Sequence, residues 1–135
     1  MLSMTIPAVT PSEATVYLDA SGATGWPVET QQQAEAILRA QRYIAARYNG
    51  RWTDELTPVP APVTYAIIEA ALIEARTPGF FARTYTPSEA KVLVEVRGVK
   101  WERVGGSDMT PTSTIVDSLL APYLGGASVK RVVRA

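Results

Sequence analysis

The sequence contains neither cysteine nor histidine. Without cysteine, the chain cannot form a disulfide or a thiolate metal site, which fits a reducing compartment. Without histidine, it also lacks the Ser-His-Asp and Cys-His catalytic systems, the usual zinc ligands and the most common general base. We therefore expect no enzyme activity, no cofactor and no metal site.

The sequence also has no excess charge of one sign and no long apolar run. Thirteen basic residues balance thirteen acidic ones, so the field of the whole molecule does not draw it to nucleic acid or to an anionic membrane. No segment approaches the ~20 apolar residues that span a bilayer, and Met1–Ala8 lacks the basic start and apolar run of a signal peptide. We expect a soluble protein that is neither exported nor bound to a membrane.

Two short patterns resemble chemical motifs without having their essential parts. Gly105-Gly106-Ser107-Asp108 lacks the lysine and the spacing of a phosphate-binding loop, so a flexible connector is the better interpretation. Asp54-Glu55 are neighbours whose side chains diverge, which favours an exposed loop pair over an acid/base dyad. The sequence therefore offers no credible catalytic group.

A helix ending at Tyr48 is the best-defined element of what we expect to be one domain, 1–135. Glu35 and Arg39 are expected to pair on its outer face. Asn49-Gly50 should end it in the left-handed conformation, with Trp52 folding back onto the last turn. The inward positions have helical spacing: Ala34, Ile37, Leu38, Gln41, Ile44, Ala45 and Tyr48.

Together with three other helices, this helix forms a predicted bundle of about four. Thr10 should cap a short first helix through about Asp19, with Pro11 at its first position and Glu13 closing a capping box. The second helix, described above, should be capped by Thr30. The others are Val63–Arg76, after a proline-rich lead, and Thr112–Leu124.

The helix Val63–Arg76 is apolar almost all the way round, apart from a narrow strip with Glu69 and Arg76. Such a helix needs neighbours on several sides, either at the centre of the bundle or under another subunit. Its candidate interface residues are Ile67, Ile68 and Leu72. Phe80, Phe81 and Tyr85, in the loop that follows, are further candidates.

The period changes to two in Lys91–Val104. With Arg97-Gly98 as the turn, opposite charges at Glu95 and Lys100 face each other, which predicts an inserted β-hairpin. The predicted fold is therefore mainly α, with this hairpin and an extended C-terminal tail.

The tail Ser128–Ala135 is basic and β-prone, but it is too short to be stable alone. It either pairs with the hairpin of its own subunit or adds to a neighbouring subunit or a partner. Its candidate contact residues are Val129, Lys130, Arg131, Val133 and Arg134.

Four arginines at the end of the second helix alternate with aromatic residues. The arginines are Arg39, Arg42, Arg47 and Arg51, and the aromatic residues are Tyr43, Tyr48 and Trp52. Single-strand DNA binders use this composition to neutralise phosphates and stack bases. The alternative is an ordinary solvated helix face whose aromatic residues pack inward. We therefore name the four arginines only as candidate DNA-facing residues.

The order of these segments resembles the head–tail connector (adaptor) proteins of tailed bacteriophages. The similarity covers about Ser12 to Arg134 and is especially close to a connector-like family labelled DnaT-like single-stranded-DNA-binding protein. The matching segments are YIAARYNGRW, VTYAIIEAALIEA, KVLVEVRGVKWERV and VDSLLAPYLGG. Residues matching the family pattern are Tyr43, Ile44, Tyr48, Gly50, Trp52, Leu119, Leu120, Pro122 and Tyr123. The aromatic loop Phe80–Tyr85 departs from the usual polar loop.

This resemblance implies a structural protein of the virion neck, assembled in the host cytoplasm. It would form a ring, commonly of twelve subunits, beneath the portal protein. The ring would extend the channel through which double-stranded DNA passes without sequence readout, and it would dock the next neck, stopper or tail protein. The alternative implied by the family label is a single-stranded-DNA-binding accessory protein of replication.

Overall fold

A computed structural model describes residues 1–82, 99–105 and 108–125 of the chain. Its helices are α1 (Pro11–Ala20), α2 (Thr30–Tyr48), α3 (Ala61–Arg76) and α4 (Thr114–Leu120), with short 3-10 turns at Phe80–Ala82 and Ala121–Tyr123. The strands β1 (Val99–Gly105) and β2 (Asp108–Ser113) form an antiparallel hairpin. The predicted fold class, mainly α with a small helical bundle, is confirmed, whereas the predicted extended tail lies outside the described residues.

Helix α3 lies at the centre of the bundle, packed against α1, α2 and α4. Ile67, Ile68 and Leu72 are at most 8% exposed, and Phe80 and Phe81 are equally buried. Of the two predicted positions for this helix, the centre of its own chain is therefore the one observed. Ile67, Ile68, Leu72 and Phe80 are not available to another subunit in this conformation, which corrects their assignment as interface residues. Phe81, although mostly buried, still lines a surface groove that is described below. Tyr85 and the tail candidates at 129–134 lie outside the described residues.

The local signals at the helix ends are mostly confirmed. Thr10 and Glu13 form the predicted capping box, with their reciprocal backbone bonds at 3.1 and 2.9 Å. Helix α2 ends at Tyr48 as predicted, although Glu29 rather than Thr30 is its N-cap residue. The left-handed ending was wrong: Asn49 is right-handed (φ −58°, ψ −25°), and Gly50 does not have a positive φ.

β1 covers the second strand of the predicted hairpin, and the structure adds a partner strand that was not predicted, β2. β1 pairs with β2, so that Val99 faces Ser113 and Trp101 faces Pro111. Gly105 and Asp108 are paired residues at the turn end of this hairpin, rather than parts of a flexible connector. The closing helix consequently begins at Thr114, after its cap Ser113, and not at Thr112. The predicted partner strand and its Arg97-Gly98 turn lie outside the described residues.

An N-terminal strap, residues 1–9, crosses the surface of α2. Leu2 and Val9, near its two ends, are both 3% exposed. Between them, the fully buried Gln41 accepts a hydrogen bond from the Ala8 amide and donates to the carbonyls of Ser3 and Ile6, all at 2.8 Å. Because these bonds satisfy both ends of the Gln41 amide, this polar side chain can lie in the core. The strap therefore forms one wall of the surface beside α2.

The end of α2 contacts the closing segment, the residues around Leu124 that follow α4. The Asn49 side chain exchanges hydrogen bonds of 2.8 and 2.9 Å with the backbone of Leu2, and it also accepts one from Trp52 Nε1. Trp52 in turn forms an antiparallel bridge with Leu124, with amide-to-carbonyl bonds on both sides of it. The helix end and the closing segment, which carry the family resemblance, are thus in direct contact.

Candidate functional site

A groove of about 570 Å³ runs along α2 between the N-terminal strap and the turn after α3. Three of the four predicted arginines line it. We call it the arginine groove, and its lining residues are Met4, Arg39, Arg42, Tyr43, Ala46, Arg47, Glu74, Phe81 and Ala82. The positions on α2 share one face because they are three or four residues apart. The volume lies within the roughly 300–1,000 Å³ typical of ligand pockets.

The floor of the arginine groove is apolar and aromatic. The rings of Tyr43 and Phe81 stack with their centroids 4.1 Å apart and an angle of 17° between their planes. Phe81 is 7% exposed and also packs edge-on against the buried Phe80. Met4 and Ala46 add exposed apolar groups at the sides. An apolar side chain entering the groove would meet carbon atoms on several sides.

Glu74 fixes the wall formed by the turn after α3. Its carboxylate, only 2% exposed, accepts hydrogen bonds from Arg39 Nε at 3.1 Å and from the amides of Gly79 and Phe81 at 3.0 Å. Arg39 therefore pairs with Glu74 and not with Glu35, which corrects the expected pair within α2. Because three donors surround it, the Glu74 carboxylate has all of these hydrogen-bond partners within the wall itself.

Arg42 fixes the opposite wall. Its Nε donates a hydrogen bond of 2.8 Å to the Met4 carbonyl, which ties the N-terminal strap to α2. Arg42 is exposed, and among the described residues that line the groove Glu74 is the only one with a carboxylate. Both walls are thus attached to α2 by the arginines that give the groove its positive charge.

Tyr48 lies outside the groove at the centre of a second charged cluster. Its hydroxyl donates a hydrogen bond to Asp117 on α4 and accepts one of 3.2 Å from Arg47 Nε. The guanidinium carbons of Arg47 and Arg51 lie 5.6 and 5.4 Å from the centroid of its ring. Burial, and after it the hydrogen bond to Asp117, raise the pKa of the Tyr48 hydroxyl, while Arg47 lowers it, and the net pKa is about 12. The cluster joins α2 to α4.

Replacing Tyr48 by phenylalanine should reduce the loss of stability at high pH. An unfolded tyrosine ionises near pH 10, but Tyr48 in the fold ionises near pH 12. Its contribution is therefore complete below pH 10 and is lost as the pH rises to 12. Urea unfolding over this range should show the wild type losing roughly 2 kcal/mol more than Tyr48→Phe. Equal losses in the two proteins would contradict the assigned role.

The geometry also bears on the predicted DNA-facing residues. Arg39, Arg42 and Arg47 line one groove, whereas Arg51 is exposed beside Tyr48. Base stacking needs an accessible ring face, but Tyr48 is 3% exposed and Tyr43 packs on Phe81. The charge expected for nucleic-acid contact is thus present, but Tyr48 offers no stacking surface, and Tyr43 and Trp52 are half-buried.

The sequence interpretation did not identify Glu74 or Met4 as parts of this surface. Glu74 follows the apolar run of α3, and its spacing gave no indication of burial. Met4 lies in a segment without helical or strand periodicity, so only the tertiary fold brings it to α2. Among the described residues, no group of three side chains of the metal-binding types is placed to hold an ion.

No protein-family model, curated protein or solved structure matches this chain in comparisons with known proteins. Within the part of the chain that the structure describes, no helix combines the length and apolar character needed to cross a membrane. The class that the structure itself defines is a small helical bundle with a β-hairpin.

Proposed function

We propose that the chain is a structural head–tail connector of a tailed phage. In this proposal it forms a ring beneath the portal protein in the virion neck, after assembly in the host cytoplasm. The ring extends the channel for double-stranded DNA and docks the next neck, stopper or tail protein. The protein carries out no reaction.

One structural observation carries the proposal. The individual residues that match the connector pattern lie in two segments that are far apart in the sequence, one ending at Trp52 and one that includes Leu124. In the fold these two residues form a backbone bridge. The matching residues therefore belong to one packed unit, as expected if the resemblance reflects a shared fold rather than two chance similarities.

The order of elements supports the same proposal. Three helices precede a hairpin, and a short helix follows it, in the sequence order that the resemblance implies. Gly125, the last residue that the structure describes, lies beside the end of α2, with its amide 2.8 Å from the Arg51 carbonyl. In this proposal, the basic tail that follows Gly125 docks on another subunit or on a neck partner.

Removing all residues after Gly126 tests this proposal. If the tail docks on a partner, the truncated protein should keep the wild-type melting temperature and circular dichroism, while necks fail to assemble on portal-bearing heads. Electron microscopy of heads mixed with the purified protein measures assembly, and the full-length chain is the control. A truncated monomer that melts several degrees lower would show that the tail belongs to its own subunit's fold. Full-length protein that never associates with such heads would contradict the connector function itself.

The alternative function is a single-stranded-DNA-binding accessory protein of replication. The exposed side chains of Arg42 and Arg51 favour it, whereas the packing of Tyr43 and Tyr48 does not. A connector should bind oligonucleotides no more tightly than ~10⁻⁴–10⁻⁶ M at physiological salt, without base preference. Nanomolar binding that is lost when Tyr43 and Trp52 are replaced by alanine would favour the alternative.

A further inference from the structure

We propose that the arginine groove is a docking site for an acidic segment of another protein. The segment would place one apolar side chain on the groove floor and a carboxylate beside Arg42. This inference goes beyond the connector function and does not depend on it, because it concerns a surface of the folded chain and the chemistry of what that surface binds.

Charge complementarity identifies the kind of partner. The groove lining contains three arginines and one glutamate. The carboxylate of Glu74 is buried and already accepts three hydrogen bonds, so it does not offset the charge of the exposed Arg42. The molecule as a whole has zero formal net charge, and the positive charge here is therefore a local feature. A partner with carboxylates would be attracted and oriented by it.

The apolar floor distinguishes a peptide from a nucleic acid. Tyr43 and Phe81 already stack on each other, so the described lining residues do not offer two free parallel ring faces between which a base could insert. Met4, Ala46 and the edges of the stacked rings instead offer the mixed aliphatic and aromatic contacts that suit a leucine or phenylalanine side chain. Apolar anchors of this kind, surrounded by polar contacts, supply most of the affinity in protein interfaces.

The groove is also held in shape before any partner arrives. Arg42 ties the strap wall to α2, and Glu74 ties the turn after α3 to the same helix. Because both walls are fixed by hydrogen bonds within the chain, binding would require little ordering of the protein. Arg39 would thus shape the site, and Arg42 would both shape it and attract its ligand.

A fluorescein-labelled peptide of glutamate, serine and one central phenylalanine tests the proposal by fluorescence anisotropy. The full-length chain should bind it, and a peptide with glutamine in place of each glutamate should bind at least about tenfold more weakly, a difference of about 1.4 kcal/mol. Replacing phenylalanine by serine should weaken binding as well. A flat titration with the acidic peptide would overturn the proposal.

Variants of the protein locate the binding site. Arg42→Glu reverses the exposed charge, and Ala46→Glu puts a carboxylate in the groove without touching a bond of the strap. Each should weaken peptide binding at least about tenfold while circular dichroism stays that of the wild type. Arg51→Glu is the matched control, since it makes the same charge change at an exposed arginine outside the groove.

Two results with these variants would contradict the site. Peptide binding weakened as much by Arg51→Glu as by Ala46→Glu would indicate attraction by general charge alone. A single-stranded oligonucleotide that binds more tightly than the peptide and is equally sensitive to Ala46→Glu would make the groove a nucleic-acid site. Neither result bears on ring assembly, which is measured separately on portal-bearing heads.

Discussion

Replacing Ile67 by aspartate is expected to leave the purified chain unfolded. Ile67 is fully buried in α3, where α3 is covered by the other helices. Loss of a buried isoleucine side chain costs about 2–5 kcal/mol, and an unpaired buried carboxylate adds several more. The sum is comparable to the whole stability of a typical domain, about 5–15 kcal/mol. Far-UV circular dichroism and urea unfolding measure the effect.

Ile6→Asp is the matched control, because it makes the same substitution at an isoleucine that is 72% exposed. It should change the free energy of unfolding by no more than about 0.5 kcal/mol. Ile68→Asp, at a position 2% exposed, should behave like Ile67→Asp. If Ile67→Asp instead kept the wild-type spectrum and urea midpoint, α3 would not be the central helix, and the described architecture would be wrong.

The helices could be predicted from the sequence because their signals are local. The capping box of α1 involves residues three positions apart, and the apolar spacing of α2 is repeated over several turns. The proline lead before α3 stops one element and begins the next within a few residues. Each of these patterns involves only residues that are close in the sequence. The helix ends in the structure therefore differ from the predicted ends by only a few residues.

Strand β1 could be predicted from the sequence, but its pairing with β2 could not. β2 has the sequence DMTPTS, which lacks apolar alternation and includes Pro111, a residue that cannot donate to a strand ladder. Within the described residues β2 pairs only with β1 and is therefore an edge strand, where such a proline is tolerated. Ser113 did offer a local signal, since its side chain accepts a hydrogen bond from the Val116 amide as an N-cap. Recognising it would have placed the start of α4 correctly.

The surface beside α2 could be predicted only in part. The sequence grouped Arg39, Arg42 and Arg47 with Arg51 as one candidate set, and the first three of them line the groove. The partners of the polar side chains are distant in sequence: Gln41 binds backbone atoms 33–38 residues away, and Arg39 binds Glu74, 35 residues away. Local rules favour a pair such as Glu35 and Arg39, but such exposed pairs contribute only about 0.3–0.5 kcal/mol. Tertiary packing therefore easily replaces them.

Glu74→Gln is expected to destabilise the fold by about 2–3 kcal/mol. The substitution preserves the shape but turns one acceptor oxygen into a donor, so at least one of the three groups around Glu74 loses its acceptor. An unsatisfied buried donor costs about 1–3 kcal/mol, and the bond to the Arg39 guanidinium also loses its charge assistance. Urea unfolding at neutral pH measures the change. Hydrogen exchange should also become faster at the amides of Gly79 and Phe81, since both donate to this carboxylate.

Glu35→Gln is the matched control, because it removes the same charge from an exposed glutamate one helical turn from Arg39. Its effect should stay within about 0.5 kcal/mol. A double-mutant cycle with Arg39→Gln then decides which carboxylate Arg39 uses: the coupling energy should be large with Glu74 and close to zero with Glu35. The reverse pattern would show that the helical pair within α2 forms in solution. The turn after α3 would then not be fixed to α2 by this ion pair, and the groove would lose one of its walls.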